Sequence, residues 1–542
     1  MLKEYIGRAL RKISTRNGIG ILDAFERLIQ RKNKEISGKK LRVLIGPSFA
    51  IWAPSYALDR SISLALQSRG ADVIPMYCDG IQDIECNYVG GDWGGKADFS
   101  KNCLNCKRTS ARLWNINSNE PLLFSRYIDT EDVDKIDAEL RGITFDDAVS
   151  YKKSEIEYGA MAKDIMVNNY LVATATLIDN HENLIKVHLR NLLMVSVVYE
   201  RILDDIKPDR VVSNDSYYGM WAILQKHCIA RSIPFYSHWP VTNDRAAFAY
   251  NDAAMNLDFT KSWPKFSMNG LTTEDEVLIE KWLKGERGLV IDTTKLAGHE
   301  IFDPVVKKIA PNKPTIVLAA NVIWDLAALN KQVVFNDMVE WIIKTIDWFS
   351  DKPDLQMIIR PHPAETSPKI PNTRETVFEA IKLDGIKLPE NVFLLKSDAK
   401  ITLNELFSMC DVRGVAVHTT TVGFEYSAQG VPVVTTAKSP YRGFGFTIDP
   451  ANKDEYFKAL NELLSGVRKV VTQPDQLLAR KFIKFYHFHY YFKHGLFSGN
   501  PPEISDKYMD ILEGRLGAFA YVINAIVNGV PINGEDLWLP ES

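Results

Sequence analysis

Short apolar runs alternate with helical stretches along most of this chain, and that alternation limits the fold more than any other feature. LRVLIG (41–46) and ADVIPMYC (71–78) flank a helical stretch over 56–68 that Gly70 closes. KPDRVVSND (207–215) and IPFYSHWP (233–240) flank another. A third block runs through TIVLAAN (315–321), LQMIIR (355–360), NVFLLK (391–396), DVRGVAV (411–417) and PVVTT (432–436), again with helices between the runs. Strand–helix–strand units build parallel sheets covered by helices on both faces. A chain of 542 residues, 46% of them apolar, exceeds one core and suits several domains. The expectation is an α/β protein with two doubly wound, Rossmann-like lobes facing a cleft. Its parts are a helical segment over 1–40, a first lobe over 41–265, a connection over 266–310, a second lobe over 311–465, and C-terminal helices over 466–542 that pack back on the body.

Composition narrows the function. The net charge of −3 gives no general reason to expect a nucleic-acid partner. No apolar run reaches 18 residues, so no spanning helix is expected. Six cysteines in a chain this long make no disulfide framework, and the basic N-terminus lacks an apolar signal core. A cytoplasmic location is expected. Residues 1–40 carry eleven Lys/Arg against four acids, with Ile21, Leu22, Phe25, Leu28 and Ile29 at helical spacing. Such a helix either rests on the anionic inner face of a membrane or docks on the body with a solvated basic side.

In open α/β sheets, ligands bind at the carboxyl ends of strands, so the loops after strands matter most. In the second lobe these are AANVIWD, with Asn321 and Asp325; RPHP (360–363); and HTTTVGFE (418–425). Proline cannot extend a ladder, so Arg360 and His362 are expected to project from a stiff loop. Thr419, Thr420 and Thr421 fall where a helix begins. A helix start offers unpaired N–H groups to an anion, Gly423 allows close approach, and Glu425 could accept from ribose hydroxyls. Together these residues predict a site for a nucleotide phosphate. TTT followed by Glu is also an ordinary N-cap sequence.

Asn321–Trp324–Asp325, Arg360–Pro361–His362–Pro363, Thr419 to Glu425 with Gly430–Val431–Pro432, and YRGFGFTIDP (441–450) together resemble the bacterial capsule polysaccharide biosynthesis family. That family is related in pattern to polysialyltransferases and teichoic-acid glycerophosphotransferases. The likeness covers residues 310–450 well and the first lobe loosely. It implies the two-lobed GT-B fold. It also implies that His362 and Thr419–Thr421 bind the phosphate and ribose of a nucleotide-activated sugar, whose glycosyl group passes to a growing surface glycan or glycolipid. No DxD motif stands at a strand end, which fits transfer without a metal, and no organic cofactor is expected. The catalytic base should come from the first lobe, where Asp215 and His238 end adjacent strands. Ser48 and Trp52, after the first strand, are candidates for the acceptor side. The rivals are a nucleotide-sugar 2-epimerase of the same fold and a non-catalytic scaffold of glycan assembly.

Cys78, Cys86, Cys103 and Cys106 follow C-x7-C-x16-C-x2-C in a polar loop with little apolar content of its own. Four thiolates suit a structural zinc ion, with an iron–sulfur cluster, and hence a redox protein, as a second reading. The third is four unrelated reduced thiols.

Overall fold

In the computed structural model of the chain, the described residues are 16–32, 40–48, 50, 52–82, 86, 99–114, 122–217, 219–241, 244–285, 303–325, 330–367, 371–383, 385–467, 471–498 and 503–532. The first lobe contributes strands β1 (Arg42–Ile45), β2 (Asp72–Tyr77), β3 (Leu122–Leu123), β4 (Arg210–Asn214), β5 (Phe235–Pro240) and β6 (Arg245–Tyr250). The second contributes β7 (Thr315–Ala319), β8 (Gln356–Arg360), β9 (Val392–Leu394), β10 (Val412–Val417) and β11 (Val433–Thr435), and β12 (Phe492–Lys493) comes late in the chain.

The first sheet runs β12-β6-β5-β4-β1-β2-β3 and the second β11-β10-β7-β8-β9. The second is parallel throughout. In the first, β3, β2, β1, β4 and β5 are parallel, and β6 and β12 add an antiparallel edge. Each lobe thus starts in the middle of its sheet, builds to one side, then crosses to the other. The order reverses between β1 and β4, and again between β7 and β10. Those two points open a crevice at the carboxyl ends of the strands. Every residue of β7 and β8 is buried, as expected of parallel strands covered on both faces.

Apolar layers cover both faces of each sheet. In the first lobe one layer joins helix Ala53–Ser68 to Tyr508, Leu512, Val522 and Ile526. The other packs the long helix His181–Ile206 against helices Tyr158–Tyr170 and Gly219–Ala230. An aromatic cluster, including Trp263, Trp282, Phe424, Tyr441, Phe482 and Tyr486, ties the connection and helix Gln473–Lys484 to the second lobe.

Helix Arg16–Lys32 of the basic N-terminal segment docks on the body. Leu22 and Ile29 are buried in the first lobe's core, and Phe25 stacks on Tyr508. Arg60, buried in helix Ala53–Ser68, pairs with Glu26 at 3.1 Å and Asp23 at 3.4 Å. Leu22, Phe25 and Ile29 of the apolar stripe therefore face the body, while Leu28 stays half exposed. No described helix is long and apolar enough to cross a membrane. The polar cysteine stretch also differs from a loop: Cys103 and Cys106 stand on helix Phe99–Trp114.

Candidate functional site

Three neighbouring strand ends of the second lobe bring the expected donor residues together. Asn321, just past β7, accepts the Thr419 N–H on its Oδ1 at 3.1 Å, which links the two sides of the β7/β10 switch point. Thr419 is 9% exposed, and its hydroxyl has no partner. A buried, unsatisfied hydroxyl costs about 1–3 kcal/mol, which an acceptor on a ligand would offset. Thr420 and Thr421 are half-buried. The Thr420 hydroxyl accepts the Val422 N–H at 3.4 Å, and its carbonyl accepts the Tyr441 hydroxyl at 2.7 Å.

The two polar residues of RPHP separate. Arg360 is the last residue of β8, and its guanidinium donates to the carbonyls of Lys396, Ser397 and Ala399. It is committed to the loop after β9 instead of projecting into the crevice. His362 begins the turn Pro363–Thr366. Its Nδ1 accepts the Ala364 N–H at 3.1 Å. Burial, helped by the Arg360 charge, pushes its pKa down to about 4. The ring is neutral at pH 7, and with Nδ1 accepting, its proton sits on Nε2 as a donor.

Gly423 and Glu425 also have structural duties. A Cβ at Gly423 would lie 2.0 Å from the Tyr441 hydroxyl oxygen, so the close approach it permits is by a tyrosine. Glu425 is buried and accepts the Trp282 indole N–H at 3.3 Å. That turns it toward the connection, away from a ribose. Helix Val422–Ser427 has six residues, and its N-cap Thr421 makes no side-chain cap.

Across the cleft, Asp215 follows β4. Its Oδ1 accepts the Met255 N–H at 3.0 Å. Burial, with the nearby Asp252 charge, raises its pKa to about 7. Tyr217 stands two residues on, and Lys331 of the second lobe places its Nζ 5.1 Å over that ring. Asp325 lies within electrostatic reach of Tyr217 as well. The end of β4 and the loop after β7 thus meet across one cleft. His238 is fully buried. Its Nε2 stands 2.6 Å from Asp59 Oδ1, and Asp59 also receives Asn214 Nδ2 at 3.3 Å. This interior pair keeps His238 out of the cleft. Ser48 is buried and accepts from the Trp114 indole at 3.2 Å. Trp52 is half-buried, its ring 4.8 Å from that of Trp239.

Several residues of the site escape sequence reasoning. Lys331 and Lys438 are joined by a backbone hydrogen bond of 2.8 Å, and repulsion from Lys438 adds to the burial that lowers the Lys331 pKa. Glu365, two residues beyond the RPHP run, is buried between the Val377 N–H at 3.0 Å and the Ser397 hydroxyl at 2.5 Å, and burial raises its pKa to about 7. Glu375 clasps the lobes, accepting the Ala173 and Thr174 N–H groups at 2.7 and 2.8 Å and the Thr174 hydroxyl at 2.8 Å. An isolated lysine or glutamate outside a motif gives no sequence signal. The near-side signal was the strand end itself, since Lys438 closely follows β11.

Two doubly wound lobes whose strand ends face a common cleft define the GT-B class of fold. Beyond that class, no family model matches the chain, and no curated protein matches it. Solved structures similar to it include the beta-Kdo 2,7 transferase of KpsC from Thermosulfurimonas dismutans, 14% identical over 58% of this chain and 88% of that one, with a TM-score of 0.31. The beta-Kdo 2,4 transferase of the same KpsC is 14% identical over 51% of this chain and 79% of that one, with a TM-score of 0.30. The UDP-GlcNAc 2-epimerase from Neisseria meningitidis is 11% identical over 82% and 98%, with a TM-score of 0.23. Likenesses at this level assign no activity.

Proposed function

We propose that the chain is a glycosyltransferase that moves a sugar from a nucleotide-activated donor to a hydroxyl of a growing surface glycan. The observation that carries the reading is the pairing across one cleft. A half-buried carboxyl with a pKa of about 7, Asp215, stands on one side. On the other, Lys331 reaches over Tyr217, two residues past Asp215, and the strand ends of its lobe carry donors that suit a phosphate: the His362 Nε2–H, the unpartnered Thr419 hydroxyl and Lys438, bonded to Lys331. The likeness of the 310–450 motifs to capsule glycosyltransferases supports the same reading.

In this mechanism Asp215 takes the proton of the acceptor hydroxyl, whose oxygen attacks the anomeric carbon as the bond to the nucleotide phosphate breaks. Negative charge grows on the leaving phosphate and is met by His362, Thr419 and the two lysines. A carboxyl tuned to about pH 7 combines a usable basic form with a real affinity for the proton. Trp52 and Trp239 offer apolar ring faces to a sugar on the acceptor side.

The test is a thermal-shift panel with CMP, CDP, UDP, GDP and ADP on wild type, His362→Ala and Asp215→Asn. A ligand at a hundred times its Kd adds about 2.7 kcal/mol, a shift of several degrees. One nucleotide should stabilise wild type and Asp215→Asn, and His362→Ala should lose the response. No response to any nucleotide in wild type defeats the reading and favours a scaffold. Turnover of a nucleotide sugar to its 2-epimer with no acceptor present assigns the site to an epimerase.

A further inference from the structure

We propose that Cys78, Cys86, Cys103 and Cys106 bind one thiophilic divalent ion, zinc, that fastens the loop after β2 to helix Phe99–Trp114 beneath the first lobe's crevice. The proposal does not depend on the transferase reading. Three short pieces of residues 78–106 bring these thiols to the wall of a single cavity of about 20 Å³, shared with Pro47, Ser48 and Gly80. Cys103 and Cys106 are three residues apart on one helix, so they share a face. Cys86 is held to the body through its carbonyl, which accepts from Asn169 at 3.2 Å.

The loop after β2 is shaped for a sulfur ligand. Gly80 has φ +94° and donates its N–H to Cys78 Sγ at 3.4 Å, and the Ile81 amide favours the same thiolate. Amides two and three residues past a cysteine, both favouring its sulfur, form the kind of outer shell that steadies a metal-bound thiolate. A Cβ at Gly80 would lie 3.3 Å from Cys103 Sγ and 3.1 Å from Lys107 Cδ, so the glycine lets the loop and helix close on each other. Lys107 supplies a positive charge to offset the thiolates.

A metal ion bound here would displace the thiol protons and turn the repulsion between neighbouring thiolates into shared ligation. Among the described residues no group of three or more His, Cys, Asp or Glu stands at ligand spacing, so the four sulfurs would have to move closer together to take up the ion. Four thiolates favour zinc over harder cations.

The test uses the full chain, purified without a metal-binding tag. Elemental analysis should find one zinc per chain, released when a mercurial titrates the thiols. Cys103→Ser and Cys86→Ser should each lose most of the zinc, while Cys410→Ser, at a buried cysteine remote from the cavity, keeps it. If the first two fail to fold, cobalt added to wild-type protein stripped of zinc decides: a thiolate-to-cobalt charge-transfer band is expected. The absence of both zinc and that band overturns the proposal. So does a Cys103–Cys106 disulfide in freshly purified protein, or iron with acid-labile sulfide.

Discussion

At Gly423 a single missing carbon sets the packing of the donor loop. The Tyr441 hydroxyl and ring occupy the space a Cβ would need, and the same hydroxyl holds the Thr420 carbonyl. Gly423→Ala should destabilise the protein by about 1–3 kcal/mol, the usual range for overpacking, read from the urea midpoint. Arg360 and His362 look alike in sequence, two basic residues each followed by a proline. Their difference lies in Lys396, Ser397 and Ala399, which sequence spacing does not connect to them. Arg360→Lys should therefore lower the thermal midpoint with no nucleotide present, because a lysine cannot reach three carbonyls in a fixed fork. His362→Ala should also lower that midpoint, because the buried Ala364 N–H loses its acceptor, but it alone should remove the nucleotide response as well.

The elements most legible in the sequence are those with continuous apolar runs. TIVLAAN, LQMIIR and DVRGVAV each become a buried strand with ends shifted by a residue or two. The short edge strands were hidden. β3 and β12 have two residues each, and RAAFAY (245–250) pairs with β5 despite three alanines of weak strand preference. Helix Phe99–Trp114 carries little helical signal, because its apolar side consists mainly of cysteines, Leu113 and Trp114. The contact between lobes was also illegible, since Glu375 reaches residues some 200 positions earlier. Glu375→Gln leaves only one acceptor oxygen for three donors. Amide exchange at Ala173 and Thr174 should then speed up, with a loss of about 1–3 kcal/mol in local protection.

For the molecule as a whole, buried carboxyls set the response to pH. Asp164 is raised to about 6, and Asp215 and Glu365 to about 7, burial being the main cause in each. A carboxyl with a raised folded-state pKa holds its proton more tightly when folded. Its contribution to stability is full below about pH 4 and disappears as the pH rises through 6 to 7. His362 and His494, both pushed down to about 4 by burial, act in reverse and lose their contribution as the pH falls from about 6.5 to 4. Glu365→Gln isolates one carboxyl. Relative to wild type its stability should climb by up to about 1.4 kcal/mol per pH unit between pH 4.5 and 7. A parallel pair of curves would show that Glu365 does not titrate there. Under the proposed mechanism, kcat/KM should rise to a plateau above about pH 7. Asp215→Asn should lose roughly 10²- to 10⁴-fold and show no such rise.

The first lobe's sheet ends in β12, and its helix Ala53–Ser68 is covered by Tyr508, Leu512, Phe519, Val522 and Ile526. All of these follow the second lobe in the chain. During synthesis on the ribosome, residues 42–250 therefore emerge long before the pieces that complete them. The strands of the second lobe, 315–435, are all present by the time that lobe is exposed. The lobe made first is finished last, and it must wait with an uncovered apolar face, the condition under which chaperones are most often engaged.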